Sequence, residues 1–234
     1  MVGQMLFHLL GALQFAYGCY YDHTYVRLPG TSGAGSFGGK LKFLTFIDAV
    51  IQTVYFTVAL INDVWGTNEP TPSAKPLIRR IKDTLFSTLA FPVSMFVGIT
   101  FWGIYAIDRE LILPQRLDAI FPSWLNHVMH TNIVAFTLIE LLTSFRMYPS
   151  RNHGISLLTA FMLCYMVWIH VIYVHTGAWV YPVLEVLNWP LRVVFYLFSL
   201  GFVLSLYVVG ERMNKTVWSK EIEKTVKSGK KKAK

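Results

Sequence analysis

The sequence predicts an all-α membrane protein, a polytopic bundle of about six transmembrane helices with both termini in the cytosol. Three observations predict it. Of 234 residues, 54% are hydrophobic and only 15% charged, more apolar surface than the core of one water-facing domain absorbs. Six stretches reach the roughly 20 predominantly apolar residues that a helix needs to cross hydrocarbon, where no water satisfies an unpaired backbone group. Trp and Tyr collect at the edges of those stretches (Tyr20, Tyr21, Trp65, Trp124, Trp179, Tyr181, Trp189), the level of the lipid headgroups.

The first stretch covers residues 2–21. No basic residue precedes it and no small-residue cleavage site is clear, so it reads as a retained span rather than a signal sequence. Gly33-Ala34-Gly35-Ser36-Phe37-Gly38 follows it and matches a dinucleotide fingerprint in form. No strand precedes that motif and a span follows, which makes it a flexible linker. The second span covers 41–61 and leads into a connection carrying Pro70, Pro72 and Pro76, an extended linker. The remaining spans cover 84–107, 121–142, 155–174 and 191–210. Residues 1–210 thus form a single transmembrane domain and 211–234 a basic cytosolic tail, with no separate soluble domain.

Charge sets the orientation. With both termini cytosolic, fifteen of the 21 Lys and Arg lie inside, and only Arg27, Lys40, Lys42, Arg109, Arg116 and Arg192 lie outside or at the outer rim; positive charge concentrates on cytosolic segments. The sole Asn-x-Ser/Thr site, Asn214-Lys215-Thr216, then falls in the cytosol. A net charge of +8 does not indicate nucleic acid, because the charge gathers in a short tail without an interleaved aromatic platform or a binding module. Attraction to anionic headgroups, about 1 kcal/mol per basic residue, accounts for the tail better. Its last residues, Lys231-Lys232-Ala233-Lys234, resemble a dilysine retrieval signal of the endoplasmic reticulum. Cys19 and Cys164 both fall within spans, too few for a disulfide framework or a metal motif.

Chemistry is expected where the membrane interior is polar, because an ionisable group there costs several kcal/mol unless it is paired or hydrated. Asp48 in the second span, His127, His130 and Glu140 in the fourth and His170 in the fifth are such groups. Thr45 and Asp48 share one helical face by their i, i+3 spacing, as do Asn126, His127 and His130 by i, i+3 and i+4. At about 1.5 Å per residue, Thr45 lies roughly 6 Å, Asp48 roughly 10 Å and His130 roughly 13 Å below the outer ends of their spans. The two faces can meet in the outer half of the bilayer. A hydroxyl, an imidazole and a carboxylate at similar depth suit nucleophilic acyl transfer: the base removes the hydroxyl proton as the bond forms, and a third group orients the base. Thr45 is the candidate nucleophile, His130 the base and Asp48 the orienting group. On spacing alone, a hydroxyl bonded to its own helix and polar side chains acting as interhelical glue remain open.

Six co-linear segments narrow the choice. They are Lys42-Phe43-Leu44-Thr45-Phe46-Ile47-Asp48, Ala90-Phe91-Pro92-Val93-Ser94, Asp108-Arg109-Glu110-Leu111, Trp124-Leu125-Asn126-His127-Val128-Met129-His130-Thr131, Tyr148-Pro149-Ser150-Arg151 and Thr176-Gly177-Ala178-Trp179-Val180-Tyr181-Pro182. Together, from about residue 40 to 212, the chain resembles the androgen-induced membrane protein family, in character only at the first span and the tail. The resemblance implies an intramembrane threonine hydrolase that cleaves fatty acid esters of hydroxy fatty acids, with the nucleophile at Thr45, the base at His130 and no cofactor. It assigns no role to Asp48, His127 or Asn126. Asn126, one turn from His130, is the candidate oxyanion donor, and Lys42, Arg109 and Arg116 stand at the rim for a substrate carboxylate. The lipid substrate is expected to enter sideways from the bilayer. The resemblance points to the cell membrane and the tail to the endoplasmic reticulum. Two other classes are carried beside the hydrolase. One is a transporter or regulatory scaffold with Asp48, His130 and Glu140 along an ion path, although Glu140 next to Arg146 also reads as an inner-rim ion pair. The other is a haem or metal protein using His127, His130, His170 and His175, but it lacks paired ligands on different helices at matching depth.

Overall fold

A computed structural model of the chain describes residues 2–27, 37–72 and 74–232, the side chains of 229–232 excepted. The described residues form helices and turns, with no strand. Helix α1 is Val2–Tyr25 and α2 Leu44–Trp65. Helix α3, Leu77–Ile107, contains a π turn at Phe86–Ala90. Helix α4 runs without a break over 123–143 through the π turn Val128–Asn132. Helix α5 is Arg151–Thr176, α6 the short Pro182–Val186, α7 Trp189–Val217 and α8 Ser219–Lys232. The linker motif beginning at Gly33 lies mostly, and the terminal Lys231–Lys234 run in its side chains, outside the described residues.

Four helices, α2, α3, α5 and α7, are long and apolar enough to cross a membrane on their own. Their outward faces carry large exposed apolar residues such as Leu163, Val167, Leu197 and Phe198, a pattern that lipid, not water, tolerates. Inside, Phe15, Tyr55, Phe56, Phe86, Phe91, Ile133 and Tyr207 pack in one core that ties α1, α2, α3, α4 and α7 together. Helix α1 packs chiefly along α2.

Two departures from the expected spans position the site. The second helix begins at Leu44 rather than at Leu41, because Gly39–Lys42 forms a 3-10 turn ahead of it. Thr45 therefore stands in the first turn of α2, not one turn inside. The fourth helix is wound as a π turn at Val128–Asn132, a distortion that often marks functional sites, and it carries His130.

At the opposite end of the bundle lies a buried ionic network. His8 Nδ1 meets Asp63 Oδ2 at 2.6 Å and His8 Nε2 meets Glu140 Oε2 at 2.9 Å. Glu140 Oε1 also accepts from Tyr55 Oη at 2.5 Å and from Arg146 Nη2 at 2.8 Å. His8, Glu140 and Arg146 are fully buried. These contacts lock α1, α2 and α4 to one another.

Candidate active site

The start of α2 is capped from a distance. Its N-cap residue Phe43 has no side-chain oxygen to offer, and the first helical N–H groups need acceptors. Leu44 N–H donates to Tyr165 Oη at 3.0 Å and Tyr181 Oη at 2.9 Å. Tyr165 comes from α5. Tyr181 arrives because Gly177, at φ 71°, ends α5 in the left-handed conformation and turns the chain back over the bundle.

Thr45 Oγ1, half-buried, lies 3.2 Å from His130 Nε2. His130 Nδ1 lies 2.7 Å from Asn126 Oδ1 and 3.0 Å from the Asn126 carbonyl. Both of these oxygens only accept, so Nδ1 carries the proton and Nε2 presents its lone pair to the Thr45 hydroxyl. The His130 ring is clamped by Phe101, which stacks on it at 3.5 Å between centroids and 13° between planes. Helix α3 approaches this closely because Gly98 faces the π turn; a Cβ there would collide with Val134 Cγ2 and come 2.8 Å from the His130 carbonyl.

Two cavities meet at Thr45. One, of about 210 Å³, is almost wholly apolar and runs between α3, α5 and α7, past Phe96, Met162 and Leu200. The other, of about 630 Å³, is a vestibule with a largely apolar wall that also carries Asp22, Lys42, Arg116, His130 and Glu185, and the 178–182 segment borders it. Thr45, Phe101, Ile112 and Tyr181 border both.

Of the residues singled out in the sequence, Thr45, His130 and Asn126 are brought together. Asn126 is turned to a different task than expected: its carbonyl oxygen accepts from the imidazole, so it orients the ring. Asp48 does not orient the imidazole. Both ring nitrogens are taken, by Thr45 and Asn126, and the fully buried Asp48 instead accepts from Gln52 Nε2 at 2.9 Å. His127 is exposed, 3.1 Å from Thr131 Oγ1 and stacked on Trp102. Its i+3 relation to His130 is broken by the π turn. At the rim, Lys42 and Arg116 border the vestibule, whereas Arg109 pairs with Asp118 at 2.5 Å.

The ion path of the transporter reading is likewise not continuous, since Glu140 belongs to the network with Arg146 and His8. The histidines of the metal reading lie apart: His170 sits among Trp179, Trp189 and Tyr196, and His175 stacks on Phe37. Among the described residues no three His, Cys, Asp or Glu are placed to hold a metal ion.

Sequence reasoning missed Tyr165 and Tyr181 as polar parts of the site and His8 and Asp63 as parts of the network. His8 and Asp63 were findable as ionisable groups within or just beyond apolar spans; the tyrosines resembled packing and interface residues.

The family model for FAR-17a/AIG1-like proteins matches residues 3–215. The chain is 40% identical over 206 residues to the androgen-induced gene 1 protein of Homo sapiens, covering 85% of each chain. It is 41% identical over 192 residues to the androgen-dependent TFPI-regulating protein of Rattus norvegicus, covering 81% of this chain and 82% of that one. It is also 25% identical over 176 residues to a protein of Schizosaccharomyces pombe named as a membrane protein, covering 74% of each. No solved structure matches the chain.

Proposed function

The chain belongs to the FAR-17a/AIG1-like family and is an integral, multi-pass membrane protein; from that premise we propose that it is an intramembrane hydrolase cleaving fatty acid esters of hydroxy fatty acids. The observation that carries this reading is the Thr45–His130 contact at the junction of an almost wholly apolar cavity and a vestibule that carries charged side chains. A hydroxyl within hydrogen-bond reach of an imidazole whose other nitrogen is held is the arrangement of an activated nucleophile.

In the proposed mechanism His130 Nε2 takes the Thr45 proton as Oγ1 attacks the ester carbonyl. His130 then gives that proton to the departing hydroxyl of the hydroxy fatty acid, leaving the acyl chain on Thr45. Water, activated by the same imidazole, releases the fatty acid. The acyl chain lies in the apolar cavity, and the hydroxy fatty acid occupies the vestibule with its carboxylate toward Lys42 and Arg116. The ester reaches Thr45 from the bilayer, so the lipid never crosses water.

The topology belongs to the same reading. Helices α1 and α4 cross the bilayer beside the four more apolar ones, giving six spans in a single domain over 1–210, with the basic tail 211–234 and both termini in the cytosol. A glycan on Asn214 would overturn that orientation.

The test is hydrolysis of a mid-chain fatty acid ester of a hydroxy fatty acid by purified protein in detergent, with Thr45→Ala and His130→Ala beside the wild type. Both variants are expected to fall to background while keeping the wild-type thermal transition. Full activity in Thr45→Ala refutes the threonine hydrolase.

A further inference from the structure

Resting on the hydrolase reading, we propose that Tyr181 donates the hydrogen bond that stabilises the oxyanion formed when Thr45 attacks an ester, with the first N–H groups of α2 completing the hole. Acyl transfer needs donors aimed at the oxygen where charge develops. Asn126, the residue expected to supply one, borders neither cavity and turns its side-chain oxygen to His130.

The proton inventory around the start of α2 singles out Tyr181. Tyr165 Oη donates to the Lys42 carbonyl at 3.0 Å. The two tyrosine hydroxyls lie 3.0 Å apart. With the Tyr165 proton directed at a carbonyl, the Tyr181 hydroxyl is the donor between them. Its proton is thus the one in the group resting on a neutral hydroxyl rather than on a carbonyl. Moving it to an anionic oxygen exchanges a neutral hydrogen bond for a charge-assisted one, roughly twice as strong. Burial raises the Tyr181 pKa above its usual value, so the phenol keeps its proton at neutral pH.

Position agrees with this role. Tyr181 and Thr45 both border both cavities, and Tyr181 Oη is 2.9 Å from the backbone nitrogen of Leu44, the residue before the nucleophile. Beside it, Thr45 N–H and Phe46 N–H have no acceptor among the described residues. They point out of the positive end of α2, where a developing anion is favoured.

The step balances without a co-reactant. The Thr45 Oγ1–carbon bond forms, the carbonyl electron pair moves to the oxygen facing Tyr181, and the Thr45 proton passes to His130. On collapse the pair returns, the bond to the hydroxy fatty acid breaks, and His130 protonates the leaving oxygen. The Tyr181 proton is shared throughout and never transferred.

Tyr181→Phe and Tyr165→Phe separate this role from simple capping of α2, because each removes one acceptor from Leu44 N–H while only the first removes the donor. Tyr181→Phe is expected to lower kcat about 10²- to 10³-fold, the usual effect of losing one such donor, with KM changed less than threefold. Tyr165→Phe is expected to cost less than tenfold. A long-chain trifluoromethyl ketone, whose adduct with Thr45 bears the same oxyanion, should bind Tyr181→Phe more weakly by the factor lost in kcat/KM, and a non-reactive amide analogue should bind unchanged. Should Tyr181→Phe fail to fold, 3-fluorotyrosine at position 181 keeps the shape and strengthens the donor, and kcat is expected to rise severalfold. Equal losses in the two phenylalanine variants, or an unaltered kcat with fluorotyrosine, overturn the proposal. Inactive Thr45→Ala and His130→Ala with Tyr181→Phe near wild type sinks this inference alone, whereas an active Thr45→Ala sinks the hydrolase reading itself.

Discussion

Replacing Asn126 tests whether the imidazole is held as the structure shows. Asn126 offers His130 Nδ1 two acceptors, its side-chain oxygen at 2.7 Å and its own backbone carbonyl at 3.0 Å. Asn126→Ala removes the nearer one and leaves the other, so the tautomer survives while the ring loses its shorter restraint. The lost bond becomes charge-assisted when His130 takes the Thr45 proton, rising from about 0.5–1.5 to about 1.5–3 kcal/mol, and only that gain of about 1–1.5 kcal/mol is felt in kcat. At about 1.4 kcal/mol per decade, kcat should fall roughly 5- to 12-fold. That is well short of the roughly 10⁴-fold loss seen when an orienting group is changed so that the wrong tautomer forms. Asn126→Leu, which keeps the branched heavy-atom skeleton of the side chain, should lose as much as alanine, which separates the missing acceptor from a packing void. Steady-state hydrolysis gives kcat and thermal unfolding confirms the fold. A loss below threefold in both variants, or one near 10⁴-fold, would refute the reasoning.

Gly98→Ala drives a Cβ against Val134 and the His130 carbonyl; overpacking of this kind costs about 1–3 kcal/mol, read as a lowered melting temperature accompanied by a fall in kcat as His130 shifts. Glu140→Ala leaves Arg146 and His8 buried without their shared carboxylate. Breaking such a pair costs about 3–5 kcal/mol, so the melting temperature should drop sharply while kcat per folded molecule holds. Lys42→Met should raise KM severalfold for an ester with a free carboxylate and leave its methyl ester unaffected. Burial, and then neighbouring Lys40, lower the Lys42 pKa. Its charge is therefore lost as pH rises through that lowered value. KM for the free acid should climb on the alkaline side sooner than an ordinary lysine would allow, with the methyl ester again flat.

Which parts of this arrangement can be read in the sequence follows from what a bilayer does to polar groups. Thr45, Asp48, His130 and Glu140 are conspicuous because each interrupts an apolar run, and the rise per residue already brings Thr45 and His130 to comparable depth. The partner of each was much less legible. An unmet hydrogen-bonding group in hydrocarbon costs several kcal/mol, so it takes whatever partner the packed helices present, and those partners come from far along the chain. The Leu44 N–H is met by hydroxyls 121 and 137 residues away, and Glu140 by an imidazole 132 residues away. By spacing Asp48 reads as the orienting group and Asn126 as an oxyanion donor, and the π turn at Val128–Asn132, which leaves no compositional mark, gives Asn126 the orienting place instead. It turns His130 inward with Asn126 behind it and leaves His127 outside. The residues that bear polarity were thus marked by their own chemistry, while their roles were assigned by a single extra residue in one helical turn and by two tyrosines whose rings read as packing.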